Sequence, residues 1–350
     1  MSMQAQIIRV AMPPEAAGPM TTSPPPLLPP DWPMFGVKHD LLPFLQDCLQ
    51  RDQRVVLASL IWIQGSSPRP LGSEMAIAES GDMAGYVSGG CVEAAVALEA
   101  MAVFADGRPR LLDYGAGSPV LDLQLSCGGR IHLWLRLLHD PADYVETWQD
   151  TRQQRRIFQV DTDLTSGHMQ WQSTSTVPAG ARPGHFRQCH RPPIRLVAVG
   201  HDPVTLALLQ LARQLEMETW LLRPDGPAAA PPFALDRYLP QPLQQAIGQI
   251  ELDQDTAVYT LTHDGSVDHA VLSWALRSEA FCVGVLGARH KRDQRLQALL
   301  ADGLPPDRLA RLQAPAGLPL GGQSPMAIAL AIVAEITQRW HQRAADVPAR

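Results

Sequence analysis

The sequence predicts an α/β protein in two parts: a strand-rich α+β half, then a half built on a parallel sheet. Three observations carry this. Up to about residue 140 the apolar residues recur mostly with the period of strands, and one alanine-rich helix interrupts them. From Ile194 onward, strand-like and helix-like segments alternate, the pattern of a parallel sheet covered on both faces. Between the two, residues 141–193 are rich in Gln, Arg and Pro with weak periodicity, and read as a connection holding at most one short hairpin. A length of 350 residues also favours two domains.

Residues 1–36, with Pro24-Pro25-Pro26 and Pro29-Pro30, cannot bury enough apolar surface to fold and read as a disordered lead-in; Met34 is an alternative start. The first domain, 37–140, opens with Leu41, Leu42, Leu45 and Leu49 at helical spacing, which predicts a helix over Leu41–Arg51. Arg54–Gln64 reads as a strand closed by Gly65-Ser66-Ser67-Pro68. Glu74–Ala78 and Met83–Ser88 flank a Ser80-Gly81-Asp82 turn and form a hairpin. Val92–Phe104 is the helix, and Leu111–Tyr114, Val120–Ser126 and Ile131–Leu138 are further strands. In the second domain, 194–343, the strands are Arg195–Val199, Glu218–Leu222, Ala257–Leu261 and Phe281–Leu286. The helices are Val204–Glu216, Ser266–Arg277, Lys291–Asp302 and Pro325–Arg343, the last with Ser324 as N-cap and Pro325 at the first helical position.

Composition removes several classes of function. The net charge of −6 offers no basic excess for a general nucleic-acid binder. No apolar run is long enough to span a bilayer, and the N-terminus lacks the charged-then-apolar layout of a signal peptide. The five cysteines, Cys48, Cys91, Cys127, Cys189 and Cys282, are odd in number, far apart and without a CxxC pair. That argues against a disulfide scaffold or a structural zinc site and fits a reducing cytoplasm.

Five stretches hold candidate chemistry, each with a plainer reading beside it. Ser88-Gly89-Gly90-Cys91 with Glu93 joins a strand to a helix. Paired glycines admit close backbone approach, and a helix start favours an anion and a reactive thiolate. A tight turn before a small buried residue explains the same letters. Cys127-Gly128-Gly129-Arg130 repeats the chemistry before a later strand, unless it is a bulge or hairpin corner. Gly65–Gly72 offers Ser66 and Arg69 to a phosphate or carboxylate, unless it is an ordinary rigid loop. Val199-Gly200-His201-Asp202-Pro203 sits where a Rossmann fold carries its glycine fingerprint, but only the first glycine is present, and the next strand ends in Arg223 rather than an acid. That leaves NAD(P) doubtful. Thr262-His263-Asp264, Gly284 and Gly287–Arg292 fall at strand carboxyl ends, where α/β ligands gather; a lone histidine such as His263 is more often structural than catalytic, and a basic run is usually a solvated face.

In this order the pieces resemble the XdhC/CoxI family of xanthine dehydrogenase accessory factors, over about residues 37–341. Gly65–Gly72, Ser88–Glu93, Cys127–Gly129, Thr262–Asp264, Val283–Arg289 and Gly317–Ala329 match its motifs. Gly200-His201-Asp202-Pro203 and Arg223 depart from the glycine-richer turn and acid of many relatives. The resemblance implies a CoxI-type first domain and a Rossmann-like second domain. It implies a cytoplasmic maturation factor, rather than an enzyme with its own substrate, that binds molybdenum cofactor and assists its sulfuration and insertion into a xanthine dehydrogenase-like hydroxylase. The expected cofactor-binding set is Ser66, Arg69, Ser88, Gly89, Gly90, Cys91, Glu93, Cys127, Gly128, Gly129, His263, Asp264 and Arg289, with Cys91 and Cys127 as thiolate ligands to the metal. A cysteine desulfurase-type sulfur donor and a homodimer are further expectations, with no nucleic acid and no membrane. The alternatives are an NAD(P)-dependent oxidoreductase with Cys91 reactive, and a docking protein without cofactor.

Overall fold

The computed structural model describes residues 32–118, 125, 127–175 and 183–345. The expected strand Val120–Ser126 therefore lies, but for Leu125, outside the described residues. In the first half, α1 (Leu42–Gln50) leads to β1 (Val55–Gln64), β2 (Glu74–Ala78) and β3 (Met83–Gly85), then α2 (Glu93–Asp106), β4 (Arg110–Gly115) and β5 (Arg130–Leu137). The strands form an antiparallel sheet in the order β3-β2-β1-β5-β4. β1 is covered on both sides, which explains its nearly continuous apolar run. Val56, Ala58 and Leu60 pack with α2, while Val55 and Leu57 join α1. Phe35 lies in a short 3-10 turn and packs on this core, so the expected disordered lead-in stops short of residue 36.

The stretch expected to be a connection is structured. It holds α3 (Pro141–Gln153), β6 (Ile157–Asp163), β7 (Met169–Thr174) and β8 (His185–His190), the strands forming a small antiparallel sheet in the order β7-β6-β8. Tyr144, Trp148, Phe158 and Val160 join Leu57 and α1 in one core cluster. Periodicity misses it because buried polar residues, Thr151, Gln159, Thr162 and Gln188, interrupt the apolar pattern.

A buried polar knot fastens this unit to the first sheet. The Arg136 guanidinium donates to Ser59 Oγ (2.7 Å) and to Glu74 Oε1 (3.1 Å); Ser59 Oγ also donates to Glu74 (2.5 Å). Burial opposes charge on Glu74, but Arg136 beside it holds the carboxyl below its usual range. His190 lies 3.4 Å from the other Glu74 oxygen, yet burial pushes its ring below its ordinary value, so it is neutral near pH 7 and Arg136 carries the pairing. His132 is pushed down for the same reason. In the unfolded chain both rings titrate near about pH 6.5. Below that pH the unfolded chain binds more protons than the folded one, and stability falls as pH falls. The melting temperature should decline below about pH 6.5, and less steeply for His190→Gln. Asp255 and Glu335, pushed up by burial, slope the other way, so the difference between parent and variant is the quantity to measure. Superimposable pH profiles would remove His190 from this account.

The second half is β9 (Arg195–Val199), α4 (Pro203–Gln214), β10 (Glu218–Leu222), β11 (Arg237–Leu239), α5 (Leu243–Ile247), β12 (Thr256–Thr260), α6 (Gly265–Arg277), β13 (Cys282–Val285), α7 (Arg292–Ala301), α8 (Pro306–Leu309), β14 (Leu312–Gln313) and α9 (Pro325–Ala345). All six strands are parallel, in the order β11-β10-β9-β12-β13-β14, so the order reverses between β9 and β12. α4 and α9 cover one face and α6 the other. The halves meet at the amino ends of these strands. Arg155 donates to Asp253 Oδ2 (2.7 Å), Glu218 Oε2 (3.0 Å) and the Pro193 carbonyl (2.7 Å); the His39 N–H donates to Glu216 Oε2 (2.9 Å). A cleft of about 770 Å3 runs along this seam, lined by Phe35, Phe44, Arg152, Arg195, Arg213 and Met217. No helix among the described residues is long and apolar enough to cross a membrane.

Candidate functional site

Three loops of the first half converge at one end of its sheet. Gln64 at the end of β1 pairs with Arg130 at the start of β5, and Gly115 at the end of β4 pairs with Arg130 from the other side. The Gly65–Gly72 loop and the Cys127-Gly128-Gly129 turn therefore begin side by side. Gly129 lies so close to the other loop that a Cβ there would stand 2.0 Å from the Ser66 carbonyl oxygen. The third loop joins through Gly89, whose Cβ position is 3.4 Å from Pro68. Cys91 and Cys127 are both half-buried against the same core cluster. The structure thus brings Ser66, Arg69, Ser88, Gly89, Gly90, Cys91, Glu93, Cys127, Gly128 and Gly129 to one rim.

The wiring of that rim differs from the expectation. α2 begins at Glu93, two residues after Cys91, and the N–H groups of Val87, Ser88, Cys91 and Val92 before it are already taken. Buried Glu93 accepts from the N–H groups of Val87 (3.2 Å) and Ser88 (2.7 Å) through Oε1 and from the Ser88 hydroxyl (2.7 Å) through Oε2. Ser88 Oγ accepts from Cys91 N (3.2 Å) and Val92 N (3.3 Å). The anion at this helix start is the protein's own Glu93. Glu93 and Ser88 hold the turn in shape, and what the turn presents outward is exposed Gly89 and Gly90 with Cys91. Arg130 is likewise engaged, by Asp113.

Arg69 is the charged group left at the rim. It makes no ion pair among the described residues, and its Nε is buried without a hydrogen-bond partner. Burial lowers its pKa, against the pull of Tyr86 and Glu93. Its guanidinium faces the His39 ring (NH2 to Nδ1, 3.0 Å), and burial, then Arg69, pushes that ring down, leaving it neutral. Tyr86 completes the group. Its hydroxyl is 3.3 Å from the Cβ position of Gly90, its ring closes on Gly36, and Phe35, which lines the cleft, lies 6.4 Å away. Burial, Glu93 and Cys91 all raise the Tyr86 pKa. Neither His39 nor Tyr86 stands in a recognisable motif. Their only sequence signal is proximity to Leu41 and Ser88.

The residues expected from the second half lie elsewhere. Asp264 is the N-cap of α6, accepting from Ser266 N (2.8 Å) and Val267 N (3.3 Å). Thr262 donates to buried Asp268 (2.8 Å), which also binds Thr260 and Arg295. Gly284 is a packing requirement: a Cβ there would sit 2.1 Å from the Tyr259 ring. His263 and Arg289 are exposed. At the first turn of the parallel unit, Asp202 caps α4 by accepting from Thr205 N (2.8 Å) and Thr205 Oγ1 (2.5 Å), so its carboxylate sits where a pyrophosphate would approach. All these positions are at strand carboxyl ends, whereas the first half docks at the amino ends. Five-residue strands separate the two levels by about 17 Å. One chain therefore does not gather His263, Asp264 and Arg289 into the site of Cys91 and Cys127. Among the described residues no group of three or more His, Cys, Asp or Glu side chains is placed to hold a metal ion.

The sequence model of the XdhC and CoxI family matches residues 48–115, and that of the XdhC Rossmann domain matches residues 196–336. The chain is 30% identical over 308 residues to the molybdenum cofactor insertion chaperone PaoD of Escherichia coli, covering 86% of this chain and 89% of that one. It is 23% identical over 333 residues to a Bacillus subtilis protein named as a probable xanthine dehydrogenase subunit, covering 87% of this chain and 98% of that protein. A crystal structure described as a xanthine dehydrogenase from Bacillus halodurans superposes with a TM-score of 0.71 at 23% identity, over 86% of this chain and 96% of the other, which shows the shared fold. With both family halves matched in order and the identity sustained across them, this chain is a member of the XdhC and CoxI family.

Proposed function

We propose that the protein holds molybdenum cofactor as cargo, assists its sulfuration and inserts it into a molybdenum hydroxylase of the xanthine dehydrogenase kind. The observation that carries this reading is the first-half rim, where two half-buried thiols and an arginine without a carboxylate partner stand together. The cargo has a soft metal–sulfur end, a flat pterin and a phosphate. Thiolates suit the soft metal, and a guanidinium without a counter-ion suits the phosphate. The cleft bordered by Phe35 is of a size for the ring, within the range of about 300–1,000 Å3 usual for ligand pockets. A PaoD-like relative named as an insertion chaperone supports the same role. Cys91 and Cys127 act as metal ligands, and a cysteine desulfurase-type donor supplies the sulfur.

The test is mass spectrometry of small molecules released from protein expressed in a molybdenum-replete host. Released pterin at a fixed ratio to chain is the expected result. Released nicotinamide, with turnover, would replace this reading by the oxidoreductase one, which the Asp202 cap opposes. Neither molecule, together with binding of a client enzyme, would leave a docking protein.

A further inference from the structure

A second cavity, of about 490 Å3, opens at the carboxyl ends of β13 and β14, two strands from the crevice where the sheet order reverses. Its inner wall is apolar: Leu286, Ala316, Leu318, Ile328 and Ala331. Its rim carries Arg289 and Arg292, both exposed, with Gly321 and Gly322. We propose that this cavity binds a nucleoside phosphate, with the phosphate on the two guanidiniums and the nucleoside on the apolar wall. The inference goes beyond the cofactor reading and does not depend on it.

Charge comes first. The side chains of Arg289 and Arg292 make neither ion pairs nor hydrogen bonds among the described residues, while neighbouring Arg295 is occupied by Asp268 (3.3 Å) and the Leu286 carbonyl (3.4 Å). Two guanidiniums at one cavity mouth without a carboxylate present the fork geometry that phosphate oxygens accept. Shape comes second. The segment over the cavity is clamped at several points: Ala316 N donates to the Val285 carbonyl (2.9 Å), Gly317 N to buried Glu335 Oε2 (3.0 Å) and Leu318 N to the Ala331 carbonyl (3.1 Å). The cavity is therefore formed before any ligand arrives. Gly322 cannot carry a side chain, because its Cβ would fall 2.4 Å from that of Ala327, so backbone alone edges the mouth where α9 starts. That 21-residue helix adds a field favouring an anion. The apolar wall is what distinguishes a nucleoside phosphate from phosphate alone, and the volume suits a small ligand. The ordinary dinucleotide crevice at β9 is meanwhile closed to phosphate by the Asp202 cap.

Calorimetry on the full chain at low ionic strength, with adenosine, guanosine, cytidine and uridine 5′-monophosphates and with inorganic pyrophosphate, tests the assignment. At least one monophosphate should bind once per chain and more tightly than pyrophosphate. Arg289→Ala/Arg292→Ala should weaken it by roughly tenfold or more without changing the melting temperature, since both side chains are exposed. Arg69→Ala, at the other site, should leave it unaltered while reducing pterin retention, so failure of one reading is separable from failure of the other. Absence of binding by every probe, binding indifferent to the double substitution, or pyrophosphate binding better than all four nucleotides would each overturn the proposal.

Discussion

Cys91→Ser will strip co-purified pterin from the protein and leave activation of an apo-hydroxylase near background. Changes to groups that merely support a metal ligand cost about 10–100-fold in metal affinity, so removing a soft ligand itself should cost more than about tenfold. Serine preserves size, and the Cys91 backbone N–H stays on Ser88 Oγ, so the turn survives. Cys127→Ser should rank second, because Cys127 shares the rim but precedes a strand rather than a helix, whereas Cys91 lies by the start of α2 and close enough to Tyr86 to act on its hydroxyl. Cys48, with a thiol pushed up to about 11, and Cys282, pushed up to about 12, are buried and should be dispensable for retention. Pterin fluorescence of each purified variant, after expression in a molybdenum-replete host, ranks them. Full retention by Cys91→Ser would make that residue structural and leave the proposed function resting on Arg69 and the family relation.

Arg136→Met will be the most destabilising single change at the seam between the first sheet and the small one. It leaves Glu74 buried without its cation, and breaking such a pair costs about 3–5 kcal/mol. The melting temperature should drop by roughly 10 °C. Arg136→Met combined with Glu74→Leu should recover much of the loss, because replacing both partners of a buried pair by apolar groups is often close to neutral. Thermal unfolding followed by circular dichroism measures both. A single-variant cost under about 1 kcal/mol would show that Ser59, Gln188 and His190 satisfy Glu74 without Arg136.

What the sequence made legible follows from how each element earns its burial. β1 and β9 are apolar nearly throughout and β12 is buried throughout around Ala257, Val258 and Tyr259, and all three could be read with their ends within a residue or two. β11 and β14 span three and two residues and carry no period to read. The small sheet was hidden because Gln159, Thr162 and Gln188 are buried there, and burial of polar side chains depends on partners such as Arg136 that sit far away in the chain. At the rim, the glycines and cysteines were visible as motifs. The roles of Ser88 and Glu93 were not, since a carboxyl six residues from the N–H it accepts looks the same on paper as one facing a ligand. The separation of His263, Asp264 and Arg289 from the rim was also illegible: it depends on which end of a parallel sheet the first half meets, and Arg155 and Glu216 decide that.

Under the proposed function, the place of Glu93 bears on how the cargo is let go. A turn that needed a ligand's phosphate to satisfy its N–H groups would order on loading and loosen on unloading, and part of the contact energy would be consumed by that ordering. Here the counter-anion is built in, so the glycine turn needs no ligand to hold its shape. Under the proposed function, affinity at Cys91 would then reflect contact alone, and an acceptor offering the metal slightly better ligands would draw the cargo off without first having to melt or rebuild this loop.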